Sequence, residues 1–188
     1  MKRMWRLSLA ILILLSCAGF DRVTKNIARE SLASSPPISL LNDFVRFEYV
    51  ENSGVLLGLG SNLPRESRFL LFVVFSSVGL LLILGYIVRV DRLDLMLLIG
   101  LSLLAGGGAG NLIDRIFNDG AVTDFVRLGI GVLRTGIFNL ADVAIVAGAV
   151  MILLWSAGER GKEHSGEDSD IDQTRQVQLE KPRSSGSR

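Results

Sequence analysis

Three long apolar runs dominate the chain. Residues 69–88 (FLLFVVFSSVGLLLILGYIV) carry no charge over 20 positions and residues 95–113 none over 19, while residues 137–158 carry one, Asp142, over 22. A bilayer core about 30 Å thick is crossed by about 20 apolar residues in helix, so each run predicts a membrane span. A shorter run, LSLAILILLSCAGF, follows MKRMWR and ends before Asp21. It has the form of a lipoprotein signal, with a basic start, a short apolar stretch and Leu14-Leu15-Ser16-Cys17. It also fits a first helix, with Met4 and Trp5 extending the apolar stretch and Arg6 snorkelling at one end. The further spans favour the uncleaved helix. Four spans follow, at about 4–20, 69–88, 94–113 and 137–157.

Basic residues orient these spans. Lys2, Arg3 and Arg6 precede the first, Arg89 and Arg92 fill the short second loop, and Arg160 and Lys162 follow the fourth. Four spans with these sites on one side place both termini in the cytoplasm. The loops 21–68 and 114–136 then face outward. In the first of them, residues 21–33 continue as helix until Ser34-Ser35-Pro36-Pro37 breaks it. Val45, Phe47 and Tyr49 alternate with Arg46 and Glu48, which predicts a strand. Asn52-Ser53-Gly54 signals a turn, and Val55-Leu56-Leu57 a second strand. So small a sheet is marginal in water, so it is expected to lean on the bilayer or the helices. The fold class is an all-α integral membrane protein of four transmembrane helices with a small extracytoplasmic β-sheet. Residues 1–157 form the membrane domain. Residues 158–188 hold no aromatics and few large aliphatics, and are expected to be a disordered cytoplasmic tail.

Composition narrows the chemistry. The 188 residues include one cysteine, Cys17, and one histidine, His164, in the polar tail. That excludes internal disulfides, cysteine-rich metal sites, and Ser-His or Cys-His catalysis. A net charge of +1 gives no basic field for nucleic acid. Carboxylates, lysine, arginine, hydroxyls and amides remain.

Asp142 lies inside the fourth run. It reads either as a helix-start carboxylate with Asn139 as N-cap, or as a functional ionisable group, the usual meaning of a charge in a span. Asp124 sits in the apolar segment AVTDFVRLGI on the same side. Asp114 has Arg115 beside it as an obvious partner, and Asp119 sits in an Asn-Asp-Gly turn. Asp124 and Asp142 are therefore the outward carboxylates in apolar surroundings. If they meet, one keeps a proton while the other stays a base, the logic of aspartic peptidases. Gly106 and Gly110 form GxxxG, which reads as close helix packing. Asn111 follows as packing glue or substrate contact. Lys25 pairs with Asp21 one helical turn earlier, or acts as base in a Ser-Lys peptidase, for which Ser53 is a weak nucleophile candidate.

These motifs, in this order, resemble bacterial lipoprotein signal peptidase, also called signal peptidase II. Asp21-Arg22-Val23-Thr24-Lys25 is similar to that family's D-x-x-[ST]-K, and Asn52-Ser53-Gly54 to its N-x-G. Gly110-Asn111-Leu112-Ile113-Asp114-Arg115 is similar to G-N-x-x-D-R, Val122-Thr123-Asp124-Phe125 to V-x-D-F, and Phe138-Asn139-Leu140-Ala141-Asp142 to F-N-x-A-D. The match covers residues 5–157. It implies a monomeric aspartic endopeptidase of the bacterial inner membrane, among membrane lipids. The enzyme would need no cofactor or metal and would cut diacylglyceryl-modified prolipoproteins before the lipidated cysteine. Asp124 and Asp142 carry over as the catalytic pair. Asn52, Gly54, Asn111, Arg115 and Asn139 carry over as substrate-binding or supporting residues, and Asp21, Lys25 and Asp114 as structural support. Val55-Leu56-Leu57 departs from the family's Ala-Ala-Phe, Gly108 from its Ala and Arg22 from its common Gln. The alternative is a proton-coupled transporter or channel subunit relaying protons through Asp142, although the inner halves of the spans offer no ionisable partner.

Overall fold

The computed structural model describes residues 3–54 and 64–180. Its elements run α1 (Arg3–Leu32), β1 (Ile38–Leu40), β2 (Val45–Asn52), α2 (Arg65–Arg89), α3 (Leu95–Phe117), β3 (Val122–Ile130), β4 (Leu133–Arg134) and α4 (Leu140–Glu180). Four helical stretches are long and apolar enough to cross a membrane: Arg3–Leu32, Phe69–Arg89, Leu95–Phe117 and Leu140–Arg160. They coincide with the predicted spans to within a few residues at most ends. The exception is α1, which continues to Leu32 as its sequence suggests and stops before Pro36 and Pro37, where the chain cannot stay helical. Val55–Leu57 and Lys2 lie outside the described residues.

α3 is the central helix: 56% of its most apolar window is buried, against 11% for each of the other three. Its glycines explain how neighbours come so close. A Cβ on Gly106 would sit 2.7 Å from Cys17 Cβ on α1, and one on Gly107 would strike the Ala141 carbonyl at the start of α4. Consecutive positions on a helix point about 100° apart, so Gly106 and Gly110 serve α1 while Gly107 serves α4. A Cβ on Gly108 would meet nothing within 4 Å, so the family's alanine fits there equally well. The outer faces of α1 and α2 expose Leu12, Leu15, Phe75, Leu81 and Leu82, which suits a hydrocarbon surround.

At one end of the bundle, Arg6 is buried instead of snorkelling. Its guanidinium donates to the Asp91 carbonyl at 2.7 Å, tying α1 to the α2–α3 loop. Arg3 donates to Val88 O beside it.

At the other end lies one antiparallel sheet, in order β1-β2-β3-β4. Val45 faces Leu128 and Val50 faces Asp124, with a bulge between Phe47 and Val50. β3 was not predicted as a strand. Val122, Thr123, Asp124 and Phe125 are all buried, so the polar–apolar alternation that marks a half-exposed strand is absent. The sheet leans on α1: Ala28 and Leu32 pack on Phe125, with Phe47, Tyr49 and Val126 around them. β2 and β3 thereby gain the covered face that an isolated hairpin lacks.

The chain divides into two units, Met1–Ile152 and Leu153–Arg188. The site lies in the first. In the second, helix continues to Glu180, past residue 158 where the sequence places the start of a disordered tail. No proline interrupts that stretch before Pro182, so the backbone is free to stay helical.

Candidate active site

Asp124 reaches the site on β3 and Asp142 on the first turn of α4. What joins them is the return of the chain after β4. Phe138 O accepts from both Phe125 N and Val126 N, and Phe138 N donates to Val126 O. This bridge sets Asn139 beside Asp124. Asn139 Nδ2 then donates to Asp124 Oδ1 at 2.7 Å and to Asn111 Oδ1 at 3.1 Å.

The same asparagine starts α4. Its Oδ1 accepts from Asp142 N at 2.9 Å, and its own N donates to Asp142 Oδ2 at 3.2 Å. This is the reciprocal arrangement of a capping box, with asparagine and aspartate in place of the commoner serine and glutamate. The helix-start reading of Asp142 therefore holds, and the asparagine that it caps with is the one that donates to Asp124. Its second oxygen, Oδ1, accepts from Asn111 Nδ2 at 2.8 Å. Asp124 Oδ2 accepts from Asn52 Nδ2 at 2.9 Å, and Asn52 Oδ1 accepts from Gly54 N at 2.9 Å. The turn predicted at Asn52-Ser53-Gly54 is thus an Asx turn aimed at Asp124.

Three side-chain amides each donate to one carboxylate: Asn52 and Asn139 to Asp124, and Asn111 to Asp142. None of the three is free to flip, because each amide oxygen already accepts from an N–H elsewhere. Burial pushes the Asp124 carboxyl up, to about 6; the amide bonds from Asn52 and Asn139 oppose that shift and the charge on Asp142 adds to it.

Behind this layer Lys25 is buried with all three donors used. Its Nζ lies 2.7 Å from Asp21 Oδ2, 3.1 Å from Asp114 Oδ2 and 2.9 Å from Asn111 Oδ1. Asp21 Oδ1 accepts from Ala141 N on α4 at 2.9 Å, and Asp114 Oδ2 from Thr123 N on β3 at 2.9 Å. Gly110 makes room for the Asp21 carboxylate, since a Cβ there would lie 2.6 Å from Oδ2. One ammonium and two carboxylates so bind α1, α3, β3 and α4 together. The expected pairing of Asp114 with Arg115 is replaced by Lys25 and by Arg22, at 3.2 Å, because adjacent helical residues face different sides. Nothing in the sequence marked Arg22 for this role beyond its place inside the D-x-x-[ST]-K stretch.

Arg115 instead turns toward the cavity. Its guanidinium stacks over Phe72 at 5.8 Å, NH1 donates to Asn111 O at 3.5 Å, and its buried Nε has no partner among the described residues. The cavity measures about 1110 Å³. Asn52, Gly54, Asn111, Arg115, Asp124 and Asp142 line it, and Val143, Ile145, Val146 and Ala147 of α4 form an apolar wall. No group of three metal-ligating side chains occurs among the described residues.

The predicted residues converge: the two aspartates with Asn52, Gly54, Asn111 and Arg115 line the cavity, Asn139 is buried against both aspartates, and Asp21, Lys25 and Asp114 lie behind. A family model described as Signal peptidase (SPase) II, Peptidase_A8, matches residues 12–157. The lipoprotein signal peptidase of Chlorobium phaeobacteroides is 33% identical over 159 residues, covering 80% of this chain and 89% of that protein. That of Streptomyces griseus is 34% identical, covering 78% of this chain and 74% of its own. That of Aquifex aeolicus is 32% identical, covering 79% and 83%. A solved bacterial membrane enzyme, determined by the in meso method at 2.3 Å resolution, superposes with a TM-score of 0.73 at 25% identity, covering 82% of this chain and 91% of that one. With its four membrane-length helices, this chain is a multi-pass membrane peptidase that belongs to the signal peptidase II family.

Proposed function

We propose that this enzyme removes signal peptides from diacylglyceryl-modified prolipoproteins, cutting before the lipidated cysteine, with Asp124 and Asp142 as its reacting pair. The observation that carries the assignment is Asn139, whose amide holds Asp124 while its backbone and side-chain oxygen hold Asp142. A buried carboxylate and a half-buried one, kept at one cavity by a shared asparagine, cannot easily both be charged.

Asp124, with its raised value, supplies the proton. Asp142 acts as base: it takes a proton from water, and the resulting hydroxide oxygen attacks the scissile carbonyl. Asp124 protonates the departing nitrogen of the cysteine as the C–N bond breaks. The spare N–H groups of Arg115 are placed to hold a substrate carbonyl. The apolar wall of α4 suits a signal helix or acyl chain arriving sideways from lipid. A proton-relay transporter finds less support, since the ionisable cluster gathers at one end of the bundle.

Asn139→Ala is the direct check on the shared amide. Turnover is expected to fall at least about tenfold, because one donor to Asp124 and the orientation of Asp142 are lost. Stability should fall by about 1 kcal/mol, the usual effect of losing an N-cap. Full turnover in the variant would remove the amide from the mechanism.

The basic residues near Arg3, Arg6, Arg89, Arg92 and Arg160 support cytoplasmic termini and an outward-facing sheet in the bacterial inner membrane. Reporter fusions at Ser34 and at Gly158 are expected to report opposite sides. Fusions reporting one side would refute this orientation.

A further inference from the structure

A second, polar cavity of about 610 Å³ is lined by Arg29, Tyr49, Glu51, Ser53 and Asn118, among others. It is not part of the machinery above, yet Glu51 and Ser53 line both cavities. Both residues lie beyond Phe47, where β1 no longer pairs with β2. The walls of the polar cavity form one hydrogen-bonded chain. Arg29 donates to Asn118 Oδ1 at 3.0 Å and to the Tyr49 hydroxyl at 3.1 Å, and Tyr49 donates to Glu51 Oε1 at 2.8 Å. The Asn118 Nδ2 is shielded from solvent and has no partner among the described residues, a state that buried amides rarely keep.

Resting on the proposed reaction, we infer that this polar cavity binds the main chain of the lipoprotein just after the lipidated cysteine. The two halves of the substrate differ in chemistry. The signal helix and acyl chains are apolar and match the α4 wall of the catalytic cavity. The mature segment is water-soluble and must lead away from the same bond. A polar cavity sharing two residues with the catalytic one is the continuation it needs. Guanidinium and amide N–H groups beside a carboxylate offer donors and acceptors in turn, which suits peptide groups. A carbonyl entering here is the partner that Asn118 Nδ2 lacks.

The test compares two synthetic lipidated precursors with the same signal sequence and cysteine. One continues into four residues of peptide, and the other into an ethylene-glycol spacer of equal length. Wild type is expected to cleave the peptide form with a KM about fivefold or more below that of the spacer form, the effect of about one hydrogen bond. Asn118→Ala and Tyr49→Phe should raise KM for the peptide form toward that of the spacer form, leave kcat nearly unchanged, and leave the spacer form unaffected. Tyr49→Phe keeps the ring packed against the cluster of Ala28, Leu32 and Phe125 and so separates binding from folding. Equal KM for the two substrates in wild type would overturn the inference, as would variants that impair both substrates alike or neither. Failure of wild type to cut the peptide form at all would instead overturn the proposed reaction itself.

Discussion

Asp124→Asn and Asp142→Asn are each expected to abolish prolipoprotein cleavage, by about 10⁴-fold or more, while both variants still insert and bind substrate. Members of a catalytic unit lose activity together, so the double variant should be no worse than either single one. The geometry also predicts what happens to stability. Each carboxylate oxygen of the pair faces an N–H donor. An introduced amide NH2 must face one of those donors, which sacrifices a hydrogen bond. Relief of a buried charge works the other way at Asp124. Because its folded value, about 6, lies above the unfolded value of about 3.9, its ionisation destabilises the fold as pH rises from about 4 to 6. The two effects are of similar size, so the melting temperature of Asp124→Asn at neutral pH should lie within a few degrees of wild type. The same protonation predicts that kcat/KM declines as pH rises through about 6, with the apparent values belonging to the pair. Substantial cleavage by either amide variant would show that other carboxylates react.

Lys25→Met is the variant expected to harm the fold most. It leaves Asp21, 1% exposed, without its cation, and Asp114, 0% exposed, with Arg22 alone. Breaking a buried ion pair from one side destabilises by about 3–5 kcal/mol, a fall of roughly 10 °C in melting temperature for a chain of this size. Adding Asp21→Asn and Asp114→Asn removes the stranded charges and should recover much of that loss. The triple variant also decides between two roles for Lys25. As a structural cation it is dispensable once its partners are neutral, so the folded triple variant should retain measurable cleavage. A stable triple variant with no cleavage would place Lys25 in the chemistry, as a Ser-Lys mechanism requires.

The four helices were legible because membrane spans are written in length and apolarity, which are local. FNLAD was legible as a helix start for the same reason: Asn139 and Asp142 are three residues apart and cap each other. The meeting of Asp124 with Asp142 was not legible from the residues themselves. It depends on the bridge of Phe138 to β3 and on the pairing of β3 with β2, a strand more than 70 positions earlier. The residues themselves singled out both carboxylates, and the motif resemblance implied that they act as a pair. Asp114 shows the opposite error, in which adjacency in sequence suggested Arg115 while helix geometry delivered Lys25 from another element. Arg6 misled in a similar way: its position predicted a group reaching toward water, and a loop carbonyl intercepted it.

The double employment of Asp142 bears on resistance to inhibitors. A compound that engages this carboxylate contacts a group that opens α4 and anchors Asn111 as well. A replacement that weakens such a compound there removes a helix cap and the base in one step, so escape by single substitutions should concentrate on the α4 wall at Val143 and Val146, where side chains line the cavity with no part in the carboxylate network described above.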